Sequence, residues 1–196
     1  MSIEDFCKVF NIHNYTVSDG LINTEDTVNL WQLDEDKIPH GFGTVGGLFE
    51  ISFSNLKTLK GLPEVVGGNL YLVNCSLEEL DYLPKRVGGI IDLSFNKLTD
   101  VSKLKEVDCK MFKLNDNNLT DLYSLKGLEG TIRIDSNPAG NLYQFRTMDE
   151  VNTFNMLKII KGNVLDLKRL KYFYSLMDHS FNLAIEKIDK FYTIKE

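Results

Sequence analysis

The residues able to carry nucleophilic or metal chemistry are few and widely separated in this chain. The 196 residues include three histidines and three cysteines, which are His13, His40, His179, Cys7, Cys75 and Cys109. A metal site needs such ligands at short, regular spacings, and none of the histidines has a partner at that spacing. A cysteine nucleophile with a histidine distant in sequence stays an alternative, with Cys7 or Cys109 as the nucleophile. We therefore predict no catalytic residue, no metal site and no cofactor.

Glycine pairs in the first half of the chain are a second candidate for chemistry. They are Gly46-Gly47, Gly67-Gly68 and Gly88-Gly89, and they recur every 21 residues. They lack the G-x-x-x-x-G-K-[ST] layout of a phosphate-binding loop. We interpret them as structural, with glycine supplying the unusual backbone angles of a tight turn.

A hydrophobic-x-hydrophobic triplet follows each glycine pair and continues after the pairs stop. The triplets are Phe49-Glu50-Ile51, Leu70-Tyr71-Leu72, Ile91-Asp92-Leu93, Phe112-Lys113-Leu114 and Ile132-Arg133-Ile134. Such alternation predicts short strands with one buried face, and the fixed period predicts a solenoid. A small polar residue follows each strand, at Ser54, Cys75, Asn96, Asn117 and Asn137. The return segments 62–68 and 83–89 combine proline, β-branched residues and glycine, so we expect them to be extended.

This pattern resembles the leucine-rich repeat family, whose signature L-x-x-L-x-L-x-x-N/C-x-L fits residues 28–137. The short repeat is most similar to leucine-rich repeat proteins of large T4-like bacteriophages, and more distantly to bacterial effectors. Residues 19–30 and 38–47 resemble the first module of those phage proteins, and residues 167–174 resemble the last. The resemblance implies an α/β solenoid of about five to six 21-residue repeats with parallel concave strands and an extended convex side. It also implies a ladder in which each Asn, Ser or Cys after the strand bonds neighbouring backbone.

The segments outside the repeats are predicted to close the two ends of the solenoid. Residues 1–27 form an N-terminal cap, with helical spacing of Ile3, Phe6, Val9, Phe10 and Ile12. Residues 138–196 form a helical C-terminal cap. Its first helix begins at a capping box of Thr147 and Glu150, its second begins at Asp166, and a third runs from about Asn182 to Tyr192. The alternative for this tail is a second partner-binding module.

The concave face is the predicted binding site, because the side chains between and after the buried strand residues point to it. The first column is Asn29, Glu50, Tyr71, Asp92, Lys113 and Arg133. The second is Trp31, Ser52, Val73, Ser94, Asn115 and Asp135, and the third is Gln32, Phe53, Asn74, Phe95, Asp116 and Ser136. Interface hot spots are enriched in Trp, Tyr and Arg. The predicted partner-binding residues are Trp31, Phe53, Tyr71, Asp92, Phe95, Lys113 and Arg133. The alternative is that Phe53 and Phe95 fold down over the core edge or stack on each other between repeats.

Together these features predict a non-catalytic protein-binding module. The net charge of −6 argues against binding a phosphate backbone, and DNA mimicry needs denser carboxylates. No membrane span or signal peptide is evident, so we expect a cytoplasmic protein. The phage resemblance implies a host bacterial protein as the partner, such as a defence factor or toxin that is inhibited by occlusion. The alternatives are a structural or assembly protein of the virion and an adaptor between host proteins, and the oligomeric state stays open.

Overall fold

The computed structural model describes residues 1–31, 33–145, 147–185 and 188–196. Its helices are α1 (Ile3–Val9), α2 (Met148–Met156) and α3 (Leu167–Leu176), with short 3-10 helices η1 (Ser102–Glu106), η2 (Tyr123–Leu125) and η3 (Gly140–Leu142). Its strands are β1 (Tyr15–Ser18), β2 (Leu21–Thr24), β3 (Val28–Asn29), β4 (Phe42–Val45), β5 (Phe49–Glu50), β6 (Val65–Val66), β7 (Leu70–Tyr71), β8 (Arg86–Val87), β9 (Ile90–Asp92), β10 (Met111–Lys113), β11 (Thr131–Arg133), β12 (Ile160–Lys161), β13 (Val164–Asp166) and β14 (Thr193–Lys195). The predicted α/β class is confirmed.

Six parallel strands, one from each successive coil, form the main sheet in the order β11-β10-β9-β7-β5-β3. Phe49 pairs with Leu70, and Leu70 pairs with Ile91, so each coil lies directly beside the next. These three residues are fully buried, as the alternation in the triplets predicts. Five intervals of about 21 residues separate the six strands, so the chain is a β-solenoid of about five stacked turns.

A second sheet carries the return path in the order β1-β2-β4-β6-β8. Strands β2, β4, β6 and β8 are parallel, and β1 folds back antiparallel to β2. The predicted extended return path is thus confirmed for these coils. It is wrong for the later coils, in which the return path contains the 3-10 helices η1 and η2. There the chain lacks the proline of the earlier coils, and the Asp100 and Asp121 carboxylates accept hydrogen bonds from the Ser102 and Tyr123 amides, at 2.7 and 2.9 Å, which start each 3-10 turn.

The glycine pairs are required by close approach between coils, and not by unusual backbone angles. None of the six has a φ in the left-handed range. Instead, a Cβ on Gly67 or Gly88 would overlap the carbonyl oxygen of the equivalent glycine one coil earlier. The Gly68 amide donates to the Gly47 carbonyl at 2.9 Å, which holds the two corners together. The turn-angle explanation predicted from the sequence is therefore wrong, although the structural role is right.

Helix α1 lies over the N-terminal end of the core. Phe6 and Ile12 are buried there, and the ring centroids of Phe6 and Phe42 lie 6.3 Å apart. Val9 was predicted to face inward, and this is wrong, because its side chain is 63% exposed. The helix ends at Val9, and Asn11 has a φ of 52°, so the chain turns and presents Ile12 to the core in its place.

The first two predicted helices of the tail are present with their predicted starts. The Glu150 amide donates to Thr147 Oγ1 at 3.3 Å, and the Thr147 amide donates to the Glu150 carboxylate at 3.0 Å. The Asp166 carboxylate accepts from the Arg169 amide at 3.0 Å. This tail contacts the last coils, since Asn155 Nδ2 donates to the Leu122 carbonyl at 2.8 Å.

The third predicted tail helix, from about Asn182 to Tyr192, is wrong where the structure describes it. Residues 182–184 have no regular secondary structure, residues 188–191 form turns, and residues 186 and 187 lie outside the described residues. Strand β14 follows and pairs in parallel with β13, so pairing over about 30 residues determines this end. Among the described residues, every helix is too short or too polar to cross a bilayer. The boundaries at residues 27 and 137 stay predictions.

Candidate functional site

An asparagine ladder fixes the turn that follows each strand of the main sheet. Asn117 Nδ2 donates to the Leu93 and Leu114 carbonyls at 3.0 and 3.1 Å, and its Oδ1 accepts from the Leu98 amide at 3.0 Å. Asn96 and Asn137 make equivalent bonds between neighbouring coils. Buried backbone groups need such partners. The ladder holds the exposed residues immediately before it in a fixed conformation.

Two members of the predicted ladder differ from the asparagines. Cys75 takes part, because its thiol donates to the Ile51 carbonyl at 2.7 Å. Ser54 was predicted to bond neighbouring backbone, and this is wrong. Its hydroxyl is buried and has no hydrogen-bond partner among the described residues. The serine side chain is shorter than asparagine by the amide group, so it does not reach the neighbouring coil.

The first predicted column is a continuous row of side chains on the outer face of the main sheet, which we call the strand face. Register pairing places its members side by side in the order Asn29, Glu50, Tyr71, Asp92, Lys113 and Arg133. Lys113 Nζ lies 3.4 Å from the Asp92 carboxylate, whose other oxygen accepts from the Ser94 amide at 3.1 Å. The row therefore has an acidic residue near one end, an ion pair in its second half and the exposed Arg133 at its other end.

Tyr71 is the aromatic residue of this row, and it is less exposed than the other predicted rings, Trp31, Phe53 and Phe95. Asn69 Nδ2 donates to the Tyr71 hydroxyl at 2.9 Å, and Asn69 Oδ1 accepts from the Ile90 amide at 2.9 Å. The tyrosine side chain is half-buried and held against the next coil. An asparagine directly after the second glycine pair was the signal in the sequence for this contact.

The second predicted column does not form a continuous exposed row. Ser52 and Ser94 are buried, so their predicted exposure is wrong. Trp31 is 50% exposed, and its ring lies edge-on to Phe53 with centroids 6.1 Å apart. The Trp31 amide donates to Asn29 Oδ1 at 2.8 Å, which fixes the start of this turn. Trp31 thus joins the exposed part of the second column to the third.

The third column occupies an unusual backbone conformation in every coil where it is described. The φ angles are positive at all five described positions, which are Phe53 (58°), Asn74 (55°), Phe95 (60°), Asp116 (54°) and Ser136 (61°). Gln32 lies outside the described residues. Asparagine and aspartate tolerate this region, but a bulky residue there is strained. Phe53 and Phe95 are nevertheless 54% and 57% exposed, so the alternative in which these rings fold down over the core edge is wrong.

An acidic groove beside Phe53 is a part of the site that the sequence reasoning missed. It has a volume of about 690 Å³, and its lining includes Asp34, Glu35, Asp36, Phe53, Ser54 and Asn74. Lys57 pairs with Asp36 at 3.2 Å. Asp34 and Glu35 have no ion pair within the described part of the chain. Three successive acidic residues shortly after Trp31 were the available signal.

The cysteines have the opposite properties to an activated nucleophile. Burial raises the pKa of the Cys75 thiol to about 11. Burial also raises the pKa values of Cys7 and Cys109 above the ordinary value. Reactive thiols have a lowered pKa beside basic groups or helix N-termini. In the described residues, no three His, Cys, Asp or Glu side chains form a group able to hold a metal ion.

The site therefore consists of exposed rings, a charged row and an acidic groove on one solenoid. Trp31 and Phe53 are in contact, Asp92 and Lys113 are paired, and Phe95 lies two coils from Phe53 in the third column. Arg133 lies at the far end of the row. Comparison with protein-family models, curated proteins and solved structures finds no match to this chain.

Proposed function

We propose that this chain is a non-catalytic protein-binding module of the leucine-rich repeat type, and that it inhibits a host bacterial protein during phage infection. The strand face and the rings beside it cover a functional surface of the partner, such as a defence factor or a toxin. The repeat signature and the asparagine ladder support the family assignment. The phage origin and the bacterial cytoplasm as its location rest on the sequence resemblance.

One observation carries the binding role, which is the placement of Phe53 and Phe95. Each is a bulky residue at a positive φ, where a non-glycine residue costs about 1–2 kcal/mol. Each also leaves more than half of its ring in water. Asparagine occupies the equivalent position at Asn74 without this strain. The two rings therefore oppose stability in the free protein, and strained exposed residues of this kind cluster at ligand-binding sites.

The architecture supports binding more than catalysis. A solenoid presents an extended surface built from equivalent positions in stacked repeats. Aromatic anchors flanked by charged residues are the composition of an interface hot spot. Trp31, Phe53 and Phe95 supply the anchors, and Arg133 supplies an exposed charge at the end of the row.

The test is capture of a partner from host lysate by the tagged protein, with variants of the rings. Trp31→Ala/Phe95→Ala removes two anchors, and Tyr172→Ala is the matched control because this exposed ring lies on α3 and is not part of the strand face. We expect the wild type and the control to retain a host protein that the double variant loses. Circular dichroism checks that all three proteins are folded. The captured protein is then assayed for loss of activity when the wild type is added.

Equal capture by the double variant would overturn the assignment of the rings and place binding elsewhere. Retention of a partner whose activity is unchanged would overturn the inhibitory role but leave the binding role intact. Detection of the chain in purified virions, with no host partner, would favour a structural role.

A further inference from the structure

The acidic groove beside Phe53 has a marked imbalance of charge. Its described lining residues carry three carboxylates, from Asp34, Glu35 and Asp36, and no basic group. Lys57, which lies outside this lining, neutralises Asp36. Asp34 and Glu35 are exposed, and neither has an ion pair within the described residues. Two carboxylates therefore remain uncompensated at the edge of the groove.

A neighbouring groove shows that this imbalance is not general on this side of the solenoid. That groove is lined by Lys57 and Lys97 as well as Glu78, Glu79 and Asp81. Its charges have both signs, and Lys97 Nζ lies 3.9 Å from the Glu78 carboxylate. The two grooves share Asn55 and Ser76 in their linings, so they are adjacent. Of these two grooves, the one beside Phe53 combines an exposed ring with a single sign of charge in its described lining, whereas the charges of the other have both signs.

A buried hydroxyl in the lining of this groove also lacks a partner. Ser54 is 8% exposed, and its Oγ makes no hydrogen bond among the described residues. Buried polar atoms are normally paired, and an orphan of this kind needs an explanation. A donor brought by a bound group, with a small movement of the side chain, would satisfy it. The adjacent Phe53 ring is 54% exposed and lines the same groove, so it supplies an aromatic surface on which a cation can lie.

We propose that this groove receives an arginine- or lysine-bearing segment of the partner protein, an inference that rests on the proposed binding function. The basic side chain lies against the exposed Phe53 ring. Trp31 makes a T-shaped contact with that ring, with the two centroids 6.1 Å apart. Its donors face the carboxylates of Asp34 and Glu35. Arginine suits the groove better than lysine, because its planar guanidinium donates to a carboxylate while it stacks on a ring. The partner's basic segment would thus dock on the first coils of the solenoid, where this groove lies.

The test uses a blocked hexapeptide with three arginines, and the same peptide with citrulline in place of arginine. Citrulline keeps the shape and removes the charge. Trp31 is the single tryptophan of the chain and touches the Phe53 ring, so its fluorescence reports binding directly. We expect the arginine peptide to change the Trp31 emission and the citrulline peptide to bind at least tenfold more weakly. Affinity for the arginine peptide should fall steeply with salt.

The decisive variants remove the same charge at two places. Asp34→Asn/Glu35→Gln should weaken arginine-peptide binding about two- to thirtyfold, as expected for two exposed ion pairs. Glu129→Gln/Asp149→Asn loses the same net charge at exposed positions remote in sequence and should bind as the wild type does. Equal binding by all three proteins, equal binding of the citrulline peptide, or no binding by the wild type would each overturn the groove assignment. None of these results affects capture of a host protein by the rings, so failure of this inference is distinct from failure of the proposed function.

Discussion

Asn96 joins two coils through its side-chain amide, and its removal should weaken the solenoid more than any other single polar truncation that we consider. Its Oδ1 accepts from the Cys75 and Leu77 amides at 2.9 and 3.0 Å. Its Nδ2 donates to the Leu72 and Leu93 carbonyls at 2.8 and 2.9 Å. All five residues are buried. Bulk water therefore does not reach these groups in the folded protein.

The change Asn96→Ala leaves two buried amide groups without an acceptor. Each orphaned group costs roughly 1–3 kcal/mol, and the two carbonyls lose one donor each. We therefore expect the free energy of unfolding to fall by about 3–5 kcal/mol, which is a large part of the ~5–15 kcal/mol typical of a domain. Hydrogen exchange of the Cys75 and Leu77 amides should become faster than that of amides in distant coils, because a solenoid transmits the damage chiefly to neighbouring repeats.

Urea unfolding followed by circular dichroism measures this loss, and Asn118→Ala is the matched control. Asn118 is exposed, and its side chain makes no hydrogen bond within the described residues, so its truncation should change stability by less than about 0.5 kcal/mol. If Asn96→Ala lost less than about 1 kcal/mol at an unchanged denaturant slope, the reasoning would be refuted, since apolar stacking alone would then hold the coils together.

Three further predictions address the glycines, a buried thiol and a strained ring. Gly67→Ala should lower the free energy of unfolding by about 3 kcal/mol in urea titrations, because the added Cβ overlaps the backbone of the preceding coil. Gly20 has a φ of 76° and open space around it, so Gly20→Ala should lower the free energy of unfolding by only about 1 kcal/mol. Similar losses for the two variants would contradict the close-approach explanation. Burial raises the pKa of the Cys75 thiol from its ordinary value near 9 to about 11, so the folded state keeps the proton to a higher pH than the unfolded state does, and stability should decline from about pH 9 upward. The decline should be shallower for Cys75→Ala between about pH 8.5 and 10.5. An equal slope for the variant and the wild type would exclude this thiol as a cause. Phe95→Asn should raise the free energy of unfolding by about 0.5–1 kcal/mol, because asparagine tolerates the positive φ at this position better than phenylalanine does. The same change should weaken partner binding. A loss of stability in thermal or urea unfolding would instead argue that the ring supports the fold.

Local patterns predicted the parts of the fold that depend on neighbours in sequence. The capping box of Thr147 and Glu150 is formed within one helical turn, so the sequence alone determines it. The strand triplets were equally predictable, because strict alternation decides which side chains enter the core. The pairing register between coils followed from the 21-residue period, since a slip by one residue would turn the buried residues of every triplet to the solvent.

The tail shows where this reasoning stops. The apolar spacing between Asn182 and Tyr192 is compatible with a helix, but strand β14 pairs in parallel with β13, and the Tyr192 hydroxyl donates to the Thr120 carbonyl at 2.6 Å. Contacts across such distances in sequence override local propensity. The acidic groove was missed for the same reason, because Asp34 and Phe53 meet only when two coils stack.

The sequence by itself determined the period, the buried face of each strand, the positions of the ladder and the candidate rings. Alternation and repetition are local in the chain, and the hydrophobic effect converts them into a stacked core. Only the tertiary structure decided that the glycine pairs permit close approach, that Ser54 is left without a partner, and that Phe53 and Phe95 are strained and exposed. These properties depend on the backbone of the adjacent coil, which lies about 21 residues away and leaves no mark in the local pattern.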